Sequence, residues 1–570
     1  MTSYTLRPEI PKEAAENLAS FSDLMRRLLF YRGIVSAAAA AEFLNPKYEP
    51  HDPFLMKDMD KAVGRLIRAI SSGERVAVWS DYDADGIPGA VILHDFFRRI
   101  GFDNFEVHIP HREEDGFGLN RGGVEELASR GTKLIVTVDC GIADAAEAAL
   151  ARELGMDVII TDHHLPNGES PPACAILNPK QADCRYPEKM LCGAAVAFKL
   201  VQGVLRENRF GLKDGVEKWF LDMVGLATLS DQVPLVGENR IFAVFGLKVL
   251  RKSPRVGFQK LLSKLRINQR FLSEDDVGFM IAPRINAASR MGVPDDAFRL
   301  LSTDSEAEAG VLADHLHHIN EERKGAVASM IKEIKKIIAD RYGTGREKKV
   351  IVAGSPKWRP SLLGLVAGYI AEEHSCPVFL WGRGGEINLK GSCRSGGRVD
   401  VVALMERARG VFLDFGGHQM AGGFSVSYEK VHLLEGELSR AYGAGGGENF
   451  AGDDPGGALA DYSLAIDDIS FDLWRDIEKL APFGVGNPKP IFILNEVLVD
   501  SVGRFGRENN HLRLSFRRSD GGTVTAVAFF ALPKDFGGVQ AGQKINLAAT
   551  LERSFFRGEP ELRLRIVELF

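Results

Sequence analysis

No stretch of the 570-residue chain approaches the roughly 18–20 consecutive apolar residues that a membrane helix needs, so a membrane span is not expected. Cysteine is scarce. Cys140, Cys174, Cys184, Cys192, Cys376 and Cys393 are the only six, irregularly spaced. That excludes a zinc or disulfide framework and suits a reducing cytoplasm. The segment Met1-Thr2-Ser3-Tyr4-Thr5-Leu6-Arg7-Pro8 lacks the apolar core of a secretory signal. A basic excess is missing too: 71 Lys and Arg stand against 77 Asp and Glu, a net charge of −6. Total charge therefore does not advertise a nucleic-acid partner, although a local basic groove can hide in an acidic total. No long-period repeat is visible.

What is present is an ordinary globular composition, 45% apolar and 26% charged. The length calls for about three to four domains. Residues 1–55 read as an N-terminal extension with no visible chemistry. From 56 to 303, β-type runs alternate with helical patterns, as a doubly wound α/β domain requires. Asp304 to Tyr342 reads as one long helix within a connector over 304–345. Leu312, Leu316, Ile319, Ala326, Met330, Ile334 and Ile337 form its apolar stripe. At about 1.5 Å per residue it would span on the order of 55 Å. A second α/β domain follows over 346–442, then a Gly-rich, acidic linker over 443–459. Runs such as Thr523-Val524-Thr525-Ala526-Val527-Ala528 predict a small β-barrel over 460–570. Its sequence interleaves Arg504, Phe505, Arg507, His511, Arg513, Phe516, Arg517 and Arg518, then Arg553, Phe555, Phe556 and Arg557. Aromatic faces stack bases and arginines follow phosphates in OB-folds that bind single strands.

The chemistry gathers where short β-branched runs end. Val76-Ala77-Val78-Trp79 leads into Ser80-Asp81-Tyr82-Asp83-Ala84-Asp85-Gly86. Leu134-Ile135-Val136-Thr137-Val138 leads into Asp139. Val158-Ile159-Ile160-Thr161 leads into Asp162-His163-His164. In an open parallel sheet, ligands collect beyond the carboxyl ends of the strands. Three such ends point at one site, and so many like charges need a cation to offset their repulsion. A lone Asp-x-Asp is more often a solvated turn, but two further acidic strand ends weigh against that here. Oxygen and imidazole donors without thiolate favour Mn²⁺ or Mg²⁺. The economical reading is two such ions, which in phosphoryl transfer clamp the attacking and leaving oxygens.

These segments resemble the first three motifs of the DHH phosphoesterase superfamily, in order and spacing. Within it the chain resembles the RecJ family of single-strand-specific 5′-to-3′ exonucleases over nearly its whole length. Asp231, in Ala227-Thr228-Leu229-Ser230-Asp231-Gln232, matches the fourth motif. Ala282-Pro283-Arg284-Ile285-Asn286-Ala287-Ala288-Ser289-Arg290-Met291 resembles a family signature. Gly416-Gly417-His418-Gln419 resembles the motif of the DHH-associated domain, and Pro482-Phe483-Gly484-Val485-Gly486-Asn487-Pro488 the start of the nucleic-acid-binding fold.

The resemblance implies a DHH-type doubly wound domain and a DHH-associated α/β domain joined by a long helix, plus a C-terminal OB-like β-barrel. It implies that Asp83 binds the first metal and Asp85 the second, that Asp139 bridges, and that His163 and Asp231 complete the second site. Asp81 is a ligand or lies just behind the ligands. His164 touches the substrate phosphate, and His418 serves the leaving group or binds phosphate. Arg112, Arg284, Asn286, Ser361, Arg394 and Ser395 are expected to build a 5′-phosphate pocket, because arginine forks hold phosphate and hydroxyls add donors. His315, His317 and His318 are read as a solvated face of the connecting helix. Two positions depart from the family pattern, Trp79 and Arg359, where a histidine is usual. Also implied are single-stranded DNA as substrate, a helicase or single-strand-binding protein as partner, a monomer in the cytoplasm, and a setting in DNA repair and recombination. One alternative is a compact DHH phosphoesterase acting on short oligonucleotides or cyclic dinucleotides, against which the segment beyond residue 460 argues. The other is a non-catalytic DNA-binding scaffold, against which Asp83, Asp85, Asp139, His163 and Asp231 argue.

Overall fold

The computed structural model describes residues 4–166, 168–342, 349–384, 388–397, 399–444, 458–506, 508–554 and 560–570. The Gly-rich stretch 445–457 and Arg507, Phe555, Phe556 and Arg557 lie outside them. The chain divides into two compact units: His51–Asp231 with Gly246–Asp453, and Met1–Pro50 with Gln232–Phe245 and Asp454–Phe570.

The first unit is built on a five-stranded parallel sheet of β1 (Val76–Ser80), β2 (Phe105–His108), β3 (Leu134–Val138), β4 (Asp157–Thr161) and β5 (Ala175–Leu177). The spatial order is β2-β1-β3-β4-β5. All residues of β1 and β3 are buried, which is why these strands read as unbroken apolar runs: helices cover both faces. The covering helices include α1 (Gly86–Arg99), α2 (Arg121–Ser129), α3 (Ala145–Glu153), α4 (Gly193–Glu207) and α5 (Leu221–Ser230). The chain leaves β1 for β2 on one side and returns to β3 on the other. The crevice between the ends of β1 and β3 is therefore the switch point where such folds bind ligands.

Further helices extend this unit, among them α6 (Val256–Leu265), α7 (Ala282–Arg290) and α8 (Glu306–Tyr342). The 37-residue α8 is the connecting helix, and its Met330, Ile334 and Ile338 pack into the core of the next domain. That domain has a mixed sheet of β6 (Ile351–Gly354), β7 (Val378–Arg383), β8 (Asn388–Arg394), β9 (Asp414–His418) and β10 (Ala421–Ser427), with α9 (Pro360–His374) against it. The sheet order is β9-β10-β8-β7-β6.

A buried charge network fastens the helices behind the crevice. Arg255 reaches Asp222 of α5 (Nε to Oδ2, 2.7 Å) and Asp95 of α1 (2.7 Å), and Ser253 Oγ donates to Asp222 at 2.8 Å.

In the second unit, β11 (Phe492–Phe505), β12 (His511–Arg517), β13 (Thr523–Ala528), β14 (Lys544–Ser554) and β15 (Glu561–Leu569) pair in the order β11-β12-β13-β15-β14. The further pairing of β11 with β14 closes the sheet into a five-stranded barrel. That closure is the OB architecture. Leu18, Met25, Leu28 and Leu29 of the N-terminal segment form one apolar cluster with Leu480. The N-terminal segment thus contributes side chains to this unit's core. No helix among the described residues is long and apolar enough to cross a membrane.

Candidate metal centre and phosphate pocket

Every acidic group expected at the crevice is there. Asp81, Asp83 and Asp85 follow β1, Asp139 follows β3, and Asp162, His163 and His164 follow β4. Asp231 closes the ring from the C-terminal end of α5. Three overlapping sets bring ligand atoms within 4.8 Å of one another: Asp81, Asp83 and Asp139; Asp85, His163 and Asp231; and Asp139, His163 and His164.

Local backbone geometry aims these groups. Asp139 sits at φ +61°, a left-handed conformation that aspartate tolerates better than bulkier residues. Its N–H donates to Thr161 O at 2.9 Å. A Cβ on Gly193 would come within 2.5 Å of Asp139, so glycine there keeps the space. Asp83 Oδ1 accepts from Asp85 N–H (2.7 Å), and Asn286 Oδ1 accepts from Ala84 N–H (2.8 Å), fixing the turn from two sides. Asp85 accepts N–H bonds from Gly193 (2.6 Å) and Ala194 (2.8 Å) at the N-terminus of α4, where a carboxylate is electrostatically favoured.

The donor set fits divalent cations. The Nδ1 of His163 lies 2.8 Å from Leu191 O. A carbonyl only accepts, so Nδ1 carries the hydrogen and Nε2 presents a bare lone pair. That lone pair faces Asp139 (3.2 Å), Asp85 (3.7 Å) and Asp231 (3.8 Å). Burial, then the neighbouring His164, holds the ring far below its usual range, so it is neutral. The buried Oδ1 atoms of Asp81 and Asp139 have no hydrogen-bond partner. Burial, and then the neighbouring carboxylates, push Asp81, Asp85, Asp139 and Asp231 above the usual carboxylate range. Lone pairs and carboxylates aimed at one another call for positive charge between them.

His164 differs. Burial would lower it, but its Nδ1 lies 2.8 Å from Asp162 Oδ1, and this ion pair wins, lifting it to about 9. Its Nδ1 is thus engaged by Asp162. Trp79 is fully buried, its Nε1 donating to Gly118 O at 3.1 Å; it is a packing residue of the sheet.

The arginines divide. Arg112 lies over the Tyr82 ring at 4.8 Å. Burial above all, with Arg112 adding repulsion, holds both Arg290 and Arg394 below the usual guanidinium range, so Arg112 is near enough to act on each of them. Ser361 Oγ lies between Glu113 Oε1 (2.7 Å) and Arg290 O (2.9 Å), and Arg290 Nη1 donates to Ser361 O at 2.7 Å. Arg284 is not brought to this group. It points toward α8, donating to Met280 O (2.6 Å), with Glu321 at 3.8 Å. Asn286 instead braces the Asp83–Asp85 turn. The buried Ser395 spends its hydroxyl on Gly397 and Val399 N–H groups within its own turn. His418 is exposed at the end of β9. His318 is exposed beside Glu322, as a solvated face predicts, whereas His315 pairs with Asp296 at 2.8 Å and His317 lies 3.5 Å from Arg284. Sequence reasoning missed Asp162, which orients His164, and Arg290. Arg290 was findable: it lies four residues after Asn286 and so shares its helix face, while Arg284 lies on the opposite side.

On the barrel, Phe505, His511, Phe529 and Phe530 cluster at 4.7–5.7 Å between ring centroids. Arg565 and Arg563 lie over Phe529 at 4.7 and 5.5 Å, and Phe530 is 81% exposed. Phe516 is in the barrel core, and Arg517 pairs with Asp500.

A doubly wound sheet with acidic strand ends, a mixed companion domain and crowded arginines defines a phosphoesterase of the DHH type. The DHH family N-terminal domain matches residues 75–228, the DHHA1 domain 347–442, and the RecJ OB domain 460–568. The single-stranded-DNA-specific exonuclease RecJ of Salmonella typhimurium is 31% identical over 99% of both chains. That of Bacillus subtilis is 33% identical over 91% of this chain, which spans 65% of that longer protein. The crystal structure of RecJ in complex with Mn²⁺ from Thermus thermophilus matches with a TM-score of 0.80 at 27% identity, over 100% of this chain and 79% of that one. The chain belongs to the RecJ family.

Proposed function

We propose that this protein is a metal-dependent exonuclease that removes mononucleotides from the 5′ end of single-stranded DNA. The observation that carries this is the neutral His163 lone pair facing three carboxylates beside a crowd of arginines. Asp81, Asp83 and Asp139 would hold one Mn²⁺ or Mg²⁺ ion, and Asp85, His163 and Asp231, with Asp139, the other. When bound, such ions supply an acidified water for attack on phosphorus and offset phosphate charge. The chain's own residues do the rest. Asp162 keeps His164 positive and oriented, leaving its Nε2–H to donate to a phosphate oxygen. Arg112, Arg290 and Arg394 bind the terminal phosphate and set direction, each by charge-assisted bonds. The Phe530 cluster and its arginines grip the trailing strand. A monomer in the cytoplasm, working in repair and recombination with a helicase or single-strand-binding protein, completes the reading. The test uses one strand labelled at either end, with Mn²⁺. The 5′ label should appear first as mononucleotide, and earlier release of the 3′ label would sink the assignment.

Two expectations follow from the pocket and the barrel. Arg394→Ala should slow cleavage of a 5′-phosphorylated strand by roughly one to two orders of magnitude, the loss of one bond to a charged group. A 5′-hydroxyl strand should lose much less, and equal losses would remove Arg394 from the pocket. Phe530→Ala should weaken binding of a long single strand by about 1–3 kcal/mol, with little change in the salt slope, because stacking releases no counterions. Fluorescence anisotropy across a salt series checks this. Truncation before residue 460 is the poorer test, since it removes Leu480 from a shared core.

A further inference from the structure

Phe117 is 50% exposed, yet the loop carrying it is fixed. Leu119 N–H donates to Asp144 Oδ2 at 2.7 Å, and Gly118 O accepts from Trp79 Nε1 at 3.1 Å. Gly116 and Gly118 adopt φ of +86° and +82°, and a Cβ on Gly118 would run into the Asp144 carboxylate. Leu119 belongs to the apolar cluster under the sheet and Phe117 does not, so packing does not account for the ring. Its centroid lies 5.4 Å from that of His164 at an interplanar angle of 74°, and His164 Nδ1 is 3.8 Å from Asp139. The same loop supplies Arg112, seated over Tyr82. One rigid loop therefore sets a cation and an open aromatic ring beside the acidic crevice.

We propose that Phe117 is a specificity-determining residue that stacks on the base of the nucleotide being removed. The inference rests on the single-strand exonuclease reading above. It answers a need that the metal ligands and arginines leave open, since those groups recognise phosphate alone and would accept any phosphodiester. An aromatic ring adds a demand for a base while tolerating all four, because every base has a π-face.

The test compares two 5′-phosphorylated single strands that are identical except that one ends in an abasic residue. Each is digested by the wild-type protein, Phe117→Ala and Phe117→Tyr. Stacking on one base corresponds to roughly five- to a hundredfold in kcat/KM. The wild type should favour the base-bearing strand by such a factor. Phe117→Ala should lose that preference by slowing on the base-bearing strand alone, and Phe117→Tyr should retain it. Equal slowing of both strands by Phe117→Ala, or no slowing of either, would overturn the proposal. If the wild type shows no preference between strands that it digests, the proposal falls while the exonuclease reading stands. If it digests no single strand, both fall.

Discussion

Asp139→Asn should lose nuclease activity by three orders of magnitude or more, about 4 kcal/mol in the barrier, while the protein stays folded. Asp139 contributes to two of the three candidate ligand sets. Its Oδ1 is buried with no hydrogen-bond partner, and His164, 3.8 Å away, is already paired with Asp162, so a cation is what its charge lacks. Asparagine is the right replacement because it also tolerates the left-handed backbone found here, which alanine would strain. Thermal unfolding with and without Mn²⁺ separates the two effects. The wild-type midpoint should rise with Mn²⁺, by the equivalent of about 2.7 kcal/mol at a hundredfold excess over the dissociation constant. The variant should match the metal-free wild type or exceed it, because one repelling carboxylate is gone, and it should respond weakly to Mn²⁺. Near-wild-type turnover by folded Asp139→Asn would end the two-metal reading.

Arg255→Met should destabilise the first unit by about 3–5 kcal/mol, the usual consequence of removing one partner from a buried ion pair. Arg255 ties Asp222, whose side chain is 3% exposed, to Asp95, whose side chain is 16% exposed. Methionine keeps much of the volume but leaves both carboxylates without their guanidinium. A second variant guards the interpretation: adding Asp222→Asn should recover part of the loss, since the uncompensated charge disappears. Urea denaturation followed by tryptophan fluorescence checks both. A midpoint unchanged by Arg255→Met would show that the network is neutral.

The acidic crevice was legible because short, mostly apolar runs of four or five residues give way to aspartate, a pattern that needs no tertiary knowledge. Asp81, Asp83, Asp85, Asp139, His163 and Asp231 all meet there. Of the residues expected around a terminal phosphate, the sequence did not show which would come together. Arg284 and Arg290 lie about 120° apart around α7, and only the packing of that helix decides which faces Tyr82. Ser395 accepts N–H bonds within its own turn, a local use of a short side chain that sequence does not reveal. The barrel's strands were visible as alternation, but its closure through β11 and β14 is a long-range pairing with no local signal. The contribution of the N-terminal segment to the barrel unit's core was invisible for the same reason.

Asp85 has a consequence for how the protein keeps its cations. Both of its oxygens already accept peptide N–H bonds from the start of α4, so the carboxylate has less electron density to give. It also needs no rearrangement when an ion departs, since its hydrogen bonds persist. A chelator should therefore strip the ions without disturbing this turn, and added Mn²⁺ should restore turnover without a refolding step; recovery as slow as refolding would contradict this.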